Sequence, residues 1–317
     1  MISIDKISWN KEIMNSRLEF DITGINHNIL NTFRRIMLTN IPIYSFNTIT
    51  ISENTSIFNN NYMKLRISNM PVFGIHSDEP IFTKIILVKV KEVEIEQDIT
   101  DDSLDAVNSS SLKQLTMYVD YVNNTTEIVT VGTDDCKFYF AEKQIPSPYN
   151  INIPIIKLQP TQKIKLSAIT QLGIEETSSI FSPVSIFAYK QHTDNKYTVM
   201  LESRGQLNEK VLLEYTYINI KLILDNFIKL IPDRDDIMGK ILINDADHTL
   251  GNIIAEGLQN HKKVKFGGSN SPHLLDKKIM IHYELYEKGN IKDIMVEIID
   301  EYKLLFESIH NIIKIKI

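Results

Sequence analysis

Cysteine is all but missing: Cys136 stands alone among 317 residues. One thiol excludes an internal disulfide framework and a zinc site built from four thiolates, and the chain reads as intracellular. Long apolar runs are missing as well, since no stretch approaches the ~20 residues a membrane helix needs. The first ten residues carry Asp5 and Lys6 and lack a basic start followed by an apolar stretch, so they do not read as a secretory signal. Positive charge is not in surplus either: 34 Lys and Arg face 40 Asp and Glu, a net charge of −6. Nucleic-acid binders draw most of their affinity from clustered Lys and Arg, so direct sequence-specific binding to DNA or RNA is not expected here. The motifs GxGxxG, GxxxxGK[ST], GxSxG and HExxH do not occur, which removes the anchors of dinucleotide, P-loop, hydrolase-elbow and zincin chemistry. None of the eight histidines pairs with another at i+3 or i+4, and His248 and His273 are expected to be structural hydrogen-bonding residues.

What is present is an ordinary globular composition, 43% hydrophobic and 23% charged, long enough for about two domains. Residues 17–23 alternate apolar and polar side chains as a half-buried strand does, and Gly24 ends the run. Residues 26–39 place Ile29, Leu30, Phe33, Ile36 and Met37 at helical spacing, with Asn26 or Asn28 available as N-cap and Pro42 beyond the end. A strand-rich stretch follows from about 45 to 187, with segments near 85–95, 115–122, 127–131 and 163–170. Residues 98–111 read as an acidic surface loop, and four prolines between 146 and 160 favour extended connections. After a strand at 197–202 and a turn around Gly205, residues 209–230 read as a long helix. Its expected stripe is Val211, Leu212, Tyr215, Ile218 and Leu222, with Ile220, Ile223, Leu224 and Phe227 on a second apolar side.

The pattern then begins again after a charged break at 232–236. Residues 240–244 are strand-like, Asp247 opens a helix, 277–285 is a strand and 290–313 a second long helix. That last helix spans about 36 Å and carries Ile291, Ile294, Met295, Ile298, Ile299, Tyr302, Leu305, Phe306 and Ile309 in one stripe, which demands a partner. His27 and His248, and Asn31 and Asn252, match at a common offset of 221, a trace of internal duplication. Phe266-Gly267-Gly268 reads as a turn, and Lys262, Lys263 and Lys265 as a solvated loop. Asp245 and Asp247 form a DxD of the kind that can hold Mg²⁺ for phosphoryl transfer, but a carboxylate just before a helix start caps its amides, and Asp247 is read as the N-cap.

Several segments resemble one family. Asn31-Thr32-Phe33-Arg34-Arg35 through Pro42 is similar to the NxLRRxxxxxxP helix of the alpha-like subunits of multisubunit RNA polymerases. Asp247-His248-Thr249-Leu250-Gly251-Asn252, with Val264 to Gly268 and Ser271 to Leu275, resembles the DHTLGN and VxFxGYxxPHPL pattern of the smaller alpha-like partner. Residues 155–166 resemble the IxKLRPGQELKL segment of the larger one, and Glu202-Ser203-Arg204-Gly205 its ESVG turn. Phe33 replaces the Leu of NxLRR, and Gln159 replaces the Arg of KLRPGQ. Residues 76–84 contain no cysteine where the larger subunit often has a cluster. The order of the pieces matches two alpha-like subunits joined in one chain, as in large DNA viruses.

The resemblance implies an α+β fold of two alpha-type dimerisation domains forming an intramolecular pseudo-dimer. The first would comprise residues 1–46 and 184–232, with a β-rich insert at 47–183; a linker at 233–238 would lead to the second at 239–317. Phe33, Met37, Val211, Tyr215, Ile218, Leu222, Leu250, Ile254, Ile294, Ile298, Tyr302, Leu305 and Ile309 would form the joint, burying roughly 1,600 Å² or more. Function would be that of a scaffold without catalytic residues, holding two large catalytic subunits and meeting small accessory ones. Asn31, Arg34 and Arg35, on the exposed side of their helix, would meet the second-largest subunit; Asn252, Glu256, Pro272 and His273 would face the largest. No cofactor is expected on this chain, Mg²⁺ belonging to the largest subunit, and no membrane is involved. The place of action would be a cytoplasmic viral factory or virion if the source is viral, and otherwise the nucleus. Readings from other classes are a self-contained Mg²⁺-dependent phosphoryl-transfer enzyme using Asp245 and Asp247, and a generic protein-binding module.

Overall fold

The computed structural model describes residues 2–11, 16–73, 114–140, 143–244, 246, 248–273 and 277–317. In chain order the elements are β1 (Ser3–Lys11), β2 (Ser16–Thr23), α1 (His27–Thr39), β3 (Ile43–Asn54), α2 (Asn60–Ser68), β4 (Leu115–Val122), β5 (Val129–Gly132), β6 (Lys137–Phe140) and β7 (Lys143–Ile145). They continue as β8 (Pro154–Leu158), β9 (Lys163–Gly173), β10 (Val184–Thr193), β11 (Lys196–Ser203), α3 (Glu209–Leu230), β12 (Asp235–Asn244), α4 (His248–Asn260), β13 (Val264–Asn270), β14 (Lys278–Asn290) and α5 (Ile291–Lys316). The described residues cluster into two compact units, one of 2–41 and 183–317, the other of 42–73 and 114–182. The strand expected at 85–95 and the acidic loop at 98–111 lie outside the described residues.

Two antiparallel sheets, ordered β1-β2-β11-β10 and β12-β14-β13, frame the first unit. β2 forms because Leu18, Phe20 and Ile22 alternate onto the core side. Gly24 then turns the chain at φ 83°, a left-handed conformation that glycine adopts without strain, and α1 begins. Asn26 is the N-cap, its Oδ1 accepting from Ile29 N at 3.0 Å. Asparagine repeats this role elsewhere: Asn208 Oδ1 accepts from Val211 N at 2.8 Å to start α3, and Asn290 Oδ1 from Lys292 N at 2.8 Å to start α5.

The two sheets share one topology. β2-α1-β10-β11-α3 in the first half corresponds, element by element, to β12-α4-β13-β14-α5 in the second, with strand orders β2-β11-β10 and β12-β14-β13. Shifting α1 by 221 residues carries His27–Thr39 onto His248–Asn260, the bounds of α4. The first half differs in having β1 beside β2 and in receiving the second unit between α1 and β10.

That second unit is β-rich. Its five-stranded sheet runs β3-β9-β4-β6-β7, and β5 pairs with β8. Phe46, Met63, Ile67, Met117, Val119, Phe138, Ile164 and Leu166 are buried within it. Sequence periodicity did not announce α2, because Tyr62, Met63, Leu65 and Ile67 are not spaced as one stripe; only Met63 and Ile67 are buried, against β3. The expected turn at Phe266 to Gly268 is instead the middle of β13.

Candidate functional site

Four helices of the first unit meet in a closed ring: α1 packs on α3 and α4, and α5 packs on α3 and α4. Every α1–α4 and α3–α5 contact joins one half of the repeat to the other. Phe33 of α1 and Phe306 of α5 lie 5.5 Å apart, their rings tilted at 58°. Met37, Leu224, Phe227, Ile254, Ile294, Ile298 and Ile309 are buried in the same core.

The fully buried row of α3 takes Leu212 from the expected stripe and Ile220, Leu224 and Phe227 from the expected second side. Val211, Tyr215, Ile218 and Leu222 are half-buried, while Leu212, Thr216, Asn219, Ile220, Leu224 and Phe227 turn fully inward. Two polar residues on the buried row disguised it. Thr216 Oγ1 donates to Leu212 O at 2.7 Å and Asn219 Nδ2 to Asn40 O at 3.3 Å, so neither side chain is left unsatisfied by burial. On α5, Tyr302 and Leu305 are half-buried, as is Leu250 on α4.

Polar contacts fasten the ring at its margins. Glu256 of α4, expected on a partner-facing side, is turned to the start of α1. Its Oε1 accepts from Asn26 Nδ2 and its Oε2 from Asn28 Nδ2 at 2.7 Å. A carboxylate there also meets the positive end of the α1 dipole. Burial, then Glu256 and Glu301, pushes the Tyr302 phenol well above its ordinary range. Lys303 of α5 pairs with Asp225 of α3 at 2.5 Å. The His310 ring stacks on Tyr217 with centroids 4.3 Å apart and planes within 10°, and burial holds its pKa below the ordinary value. Lys316 reaches β1, donating to Ile4 O and pairing with Asp5 at 3.1 Å, the contact that lowers the Asp5 pKa. A groove of about 310 Å³ between α3 and α5 is floored by Ile220, Leu224 and Phe306.

Glycines set how closely α4 lies on its neighbours. A Cβ at Gly257 would collide with Ile298 Cγ2 on α5, and one at Gly267 with Leu258 Cβ on α4. Gly267 therefore admits the helix, and the Gly-Gly pair runs through β13 without turning the chain.

The remaining expected residues are distributed around this ring. Arg34 and Arg35 are half-buried and not exposed as the sequence reading had them. Asn31 Oδ1 accepts from Arg34 Nε at 3.1 Å and Nη2 at 2.9 Å, which fixes the guanidinium plane. The Nε of Arg35 is buried, and the offset of 221 places Arg35 at the position Glu256 holds in α4. Asn252, Pro272 and His273 are exposed, as is His248. Asp245 and Asp247 lie outside the described residues. Among the described residues no three His, Cys, Asp or Glu converge as a metal site, and no helix is long and apolar enough to cross a membrane.

Residues 19–221 and 239–311 each match the family described as RNA polymerase Rpb3/Rpb11 dimerisation domain. The chain belongs to this family. It holds two Rpb3/Rpb11-type domains in one polypeptide, and the second match begins where the topology repeats. Among its relatives is a protein of Acanthamoeba polyphaga mimivirus bearing the name DNA directed RNA polymerase subunit R470. It is 28% identical over 304 residues, covering 88% of this chain and 84% of that one. The human DNA-directed RNA polymerases I and III subunit RPAC1 is 28% identical over 204 residues, 61% of this chain and 56% of that protein. The Schizosaccharomyces pombe DNA-directed RNA polymerase II subunit RPB3 is 23% identical over 192 residues, 58% of this chain and 61% of that one. The matched region is thus under two thirds of the length of these two cellular relatives. Glu256, which the sequence reading assigned to a partner subunit, instead bonds Asn26 and Asn28 at the start of α1, a pairing that no local pattern in the sequence signals.

Proposed function

We infer that this chain is an assembly subunit of a DNA-directed RNA polymerase, carrying both alpha-like partners in one polypeptide and bringing the two large catalytic subunits together. The observation that carries the reading is the repeated β-α-β-β-α pattern closed on itself through the α1, α3, α4 and α5 ring. A surface built by two like domains locked in one orientation can present two different faces at a fixed spacing, which is what a scaffold requires. Arg34, oriented by Asn31, is assigned to the second-largest subunit, since a plane held by one acceptor is preorganised for bidentate pairing. Asn252, Pro272 and His273 are assigned to the largest subunit because they lie exposed on the second half. The chemistry of nucleotide addition, with its Mg²⁺, is placed on the largest subunit, and the place of action inside the cell. No observation favours the phosphoryl-transfer enzyme reading or the module outside transcription.

The test is co-expression of the tagged chain with both large subunits. Arg34→Glu should reduce recovery of the second-largest subunit by at least about tenfold, with the thermal midpoint of the isolated chain changed little. Recovery of that subunit at the level of the unaltered chain would refute the assignment, and purification without any large polymerase subunit would refute the scaffold.

A further inference from the structure

The two sheets of the repeat are internal controls for one another, and they differ in two respects. The first has four strands, β1 lying antiparallel on the outer edge of β2, with Ile4 opposite Ile22 and fully buried. The second has three, and no described strand pairs with the outer edge of β12, the counterpart of β2. Their outward faces differ as well. On the first, Asp21 accepts from Thr198 at 2.5 Å and pairs with Lys6 at 3.2 Å, and Arg17 pairs with Glu19 at 3.4 Å. On the second, Met238, Leu242, Phe266 and Tyr286 are 70%, 53%, 55% and 67% exposed. Met238 and Leu242 stand on β12 itself, beside the incomplete edge, whereas Phe266 stands on the far strand β13, and Glu284, paired with Lys265 at 2.6 Å, lies between Met238 and Phe266.

The ladder shows which backbone groups that edge offers. Tyr286 N donates to Lys263 O at 3.1 Å, so the even-numbered residues of β14 face β13. The odd-numbered Ile279, Ile281 and Tyr283, paired with Ile243, Ile241 and Gly239, then face β12. The amide and carbonyl groups of Lys240, Leu242 and Asn244 accordingly point outward. A second observation agrees: the Lys240 carbonyl accepts from the Arg234 side chain, Nη2 at 3.0 Å.

We propose that the outer edge of β12 takes up an extended segment of the largest polymerase subunit as an antiparallel fourth strand, supplied in trans where β1 supplies it in cis. This rests on the assembly-subunit reading, which already assigns the second half to that subunit. Main-chain hydrogen bonds from Leu242 and Asn244 give the strand its register. Ile243 lies at the offset of 221 from Ile22, so the incoming strand places an aliphatic residue opposite it, as Ile4 stands opposite Ile22. Its outward side chains are apolar next to Met238 and Leu242, with an acidic residue beside Lys240. A second copy of this chain is the wrong occupant, because one copy already contains both alpha-like halves.

Hydrogen exchange of the Lys240, Leu242 and Asn244 amides, in the full-length chain alone and in the reconstituted polymerase, tests this. Exchange should be fast in the free chain and slowed at least about 100-fold in the complex, with a photo-crosslinker at position 242 capturing a peptide of the largest subunit. Leu242→Pro removes only an outward N–H and so leaves the β14 ladder intact. It should lower capture of the largest subunit by about tenfold at an unchanged thermal midpoint. Unslowed exchange in a complex that contains both large subunits overturns the added strand and leaves the scaffold standing. Protection already present in the free chain, or a crosslink to a second copy, overturns it too. Failure to enter any polymerase removes the scaffold, and the added strand with it.

Discussion

At the scale of single residues, the ring is held by close approach and by a few groups that dislike water or charge. Gly257 has no space for a Cβ against Ile298, so Gly257→Ala forces α4 and α5 apart despite its better helix propensity. The expected result is a loss of about 1–3 kcal/mol in chemical denaturation. Where His310 stacks on Tyr217, burial lowers its pKa from 6.5, while Glu214 and Glu307 act against that shift and Lys314 with it. Its folded pKa lies below its unfolded value, so its stabilising share is complete above about pH 6.5 and is lost as pH falls through the folded value. Denaturation midpoints measured from pH 8 to 5 should decline below about 6.5. His310→Phe, which keeps a ring on Tyr217, should remove that part of the decline. Single residues were unevenly legible. The Asn26 cap and the buried Phe33 and Met37 followed from local spacing. Glu256 did not, because its partners Asn26 and Asn28 are more than 220 residues away and a half-buried carboxylate on a helix looks like any solvated one.

At the scale of elements, reading succeeded where one face is uniformly apolar. α5 is the clear case: Ile294, Ile298 and Ile309 are buried as their spacing requires. Ile298→Ala should therefore cost about 3 kcal/mol, from lost burial plus a cavity between α4 and α5, measurable as a shifted denaturant midpoint with an unchanged slope. Reading failed where burial and polarity part company. The inner row of α3 includes Thr216 and Asn219, which bond to Leu212 O and Asn40 O and so tolerate burial that composition argues against. β13 was hidden for a different reason. Two glycines in sequence signal a turn, and only the approach of Leu258 from α4 shows why the first of them, Gly267, stands in a strand. The α2 helix, short and without a stripe, gave no periodic signal at all.

At the scale of the whole chain, the duplication was written in two identities at one offset and became plain only as a shared topology. Four residues separate α3 from β12, so covalent linkage sets the halves at a high effective concentration. The ring, however, buries its own apolar faces, and on that ground the link is expected to be dispensable for pairing. A chain divided between residues 232 and 233 and co-expressed as two pieces should still purify as a one-to-one pair in size-exclusion chromatography; separate elution would show that the linker, not the ring, holds the halves together.

Because one half completes the other, synthesis imposes a delay. Seventy-four residues, 233–306, must be made after position 232 before Phe306 can meet Phe33, about 4–15 s at ordinary ribosomal speeds. Throughout that interval Phe33 lacks its cover from Phe306 of α5. A nascent chain stalled there would be adhesive, and its survival would depend on being shielded until the ribosome delivers the rest.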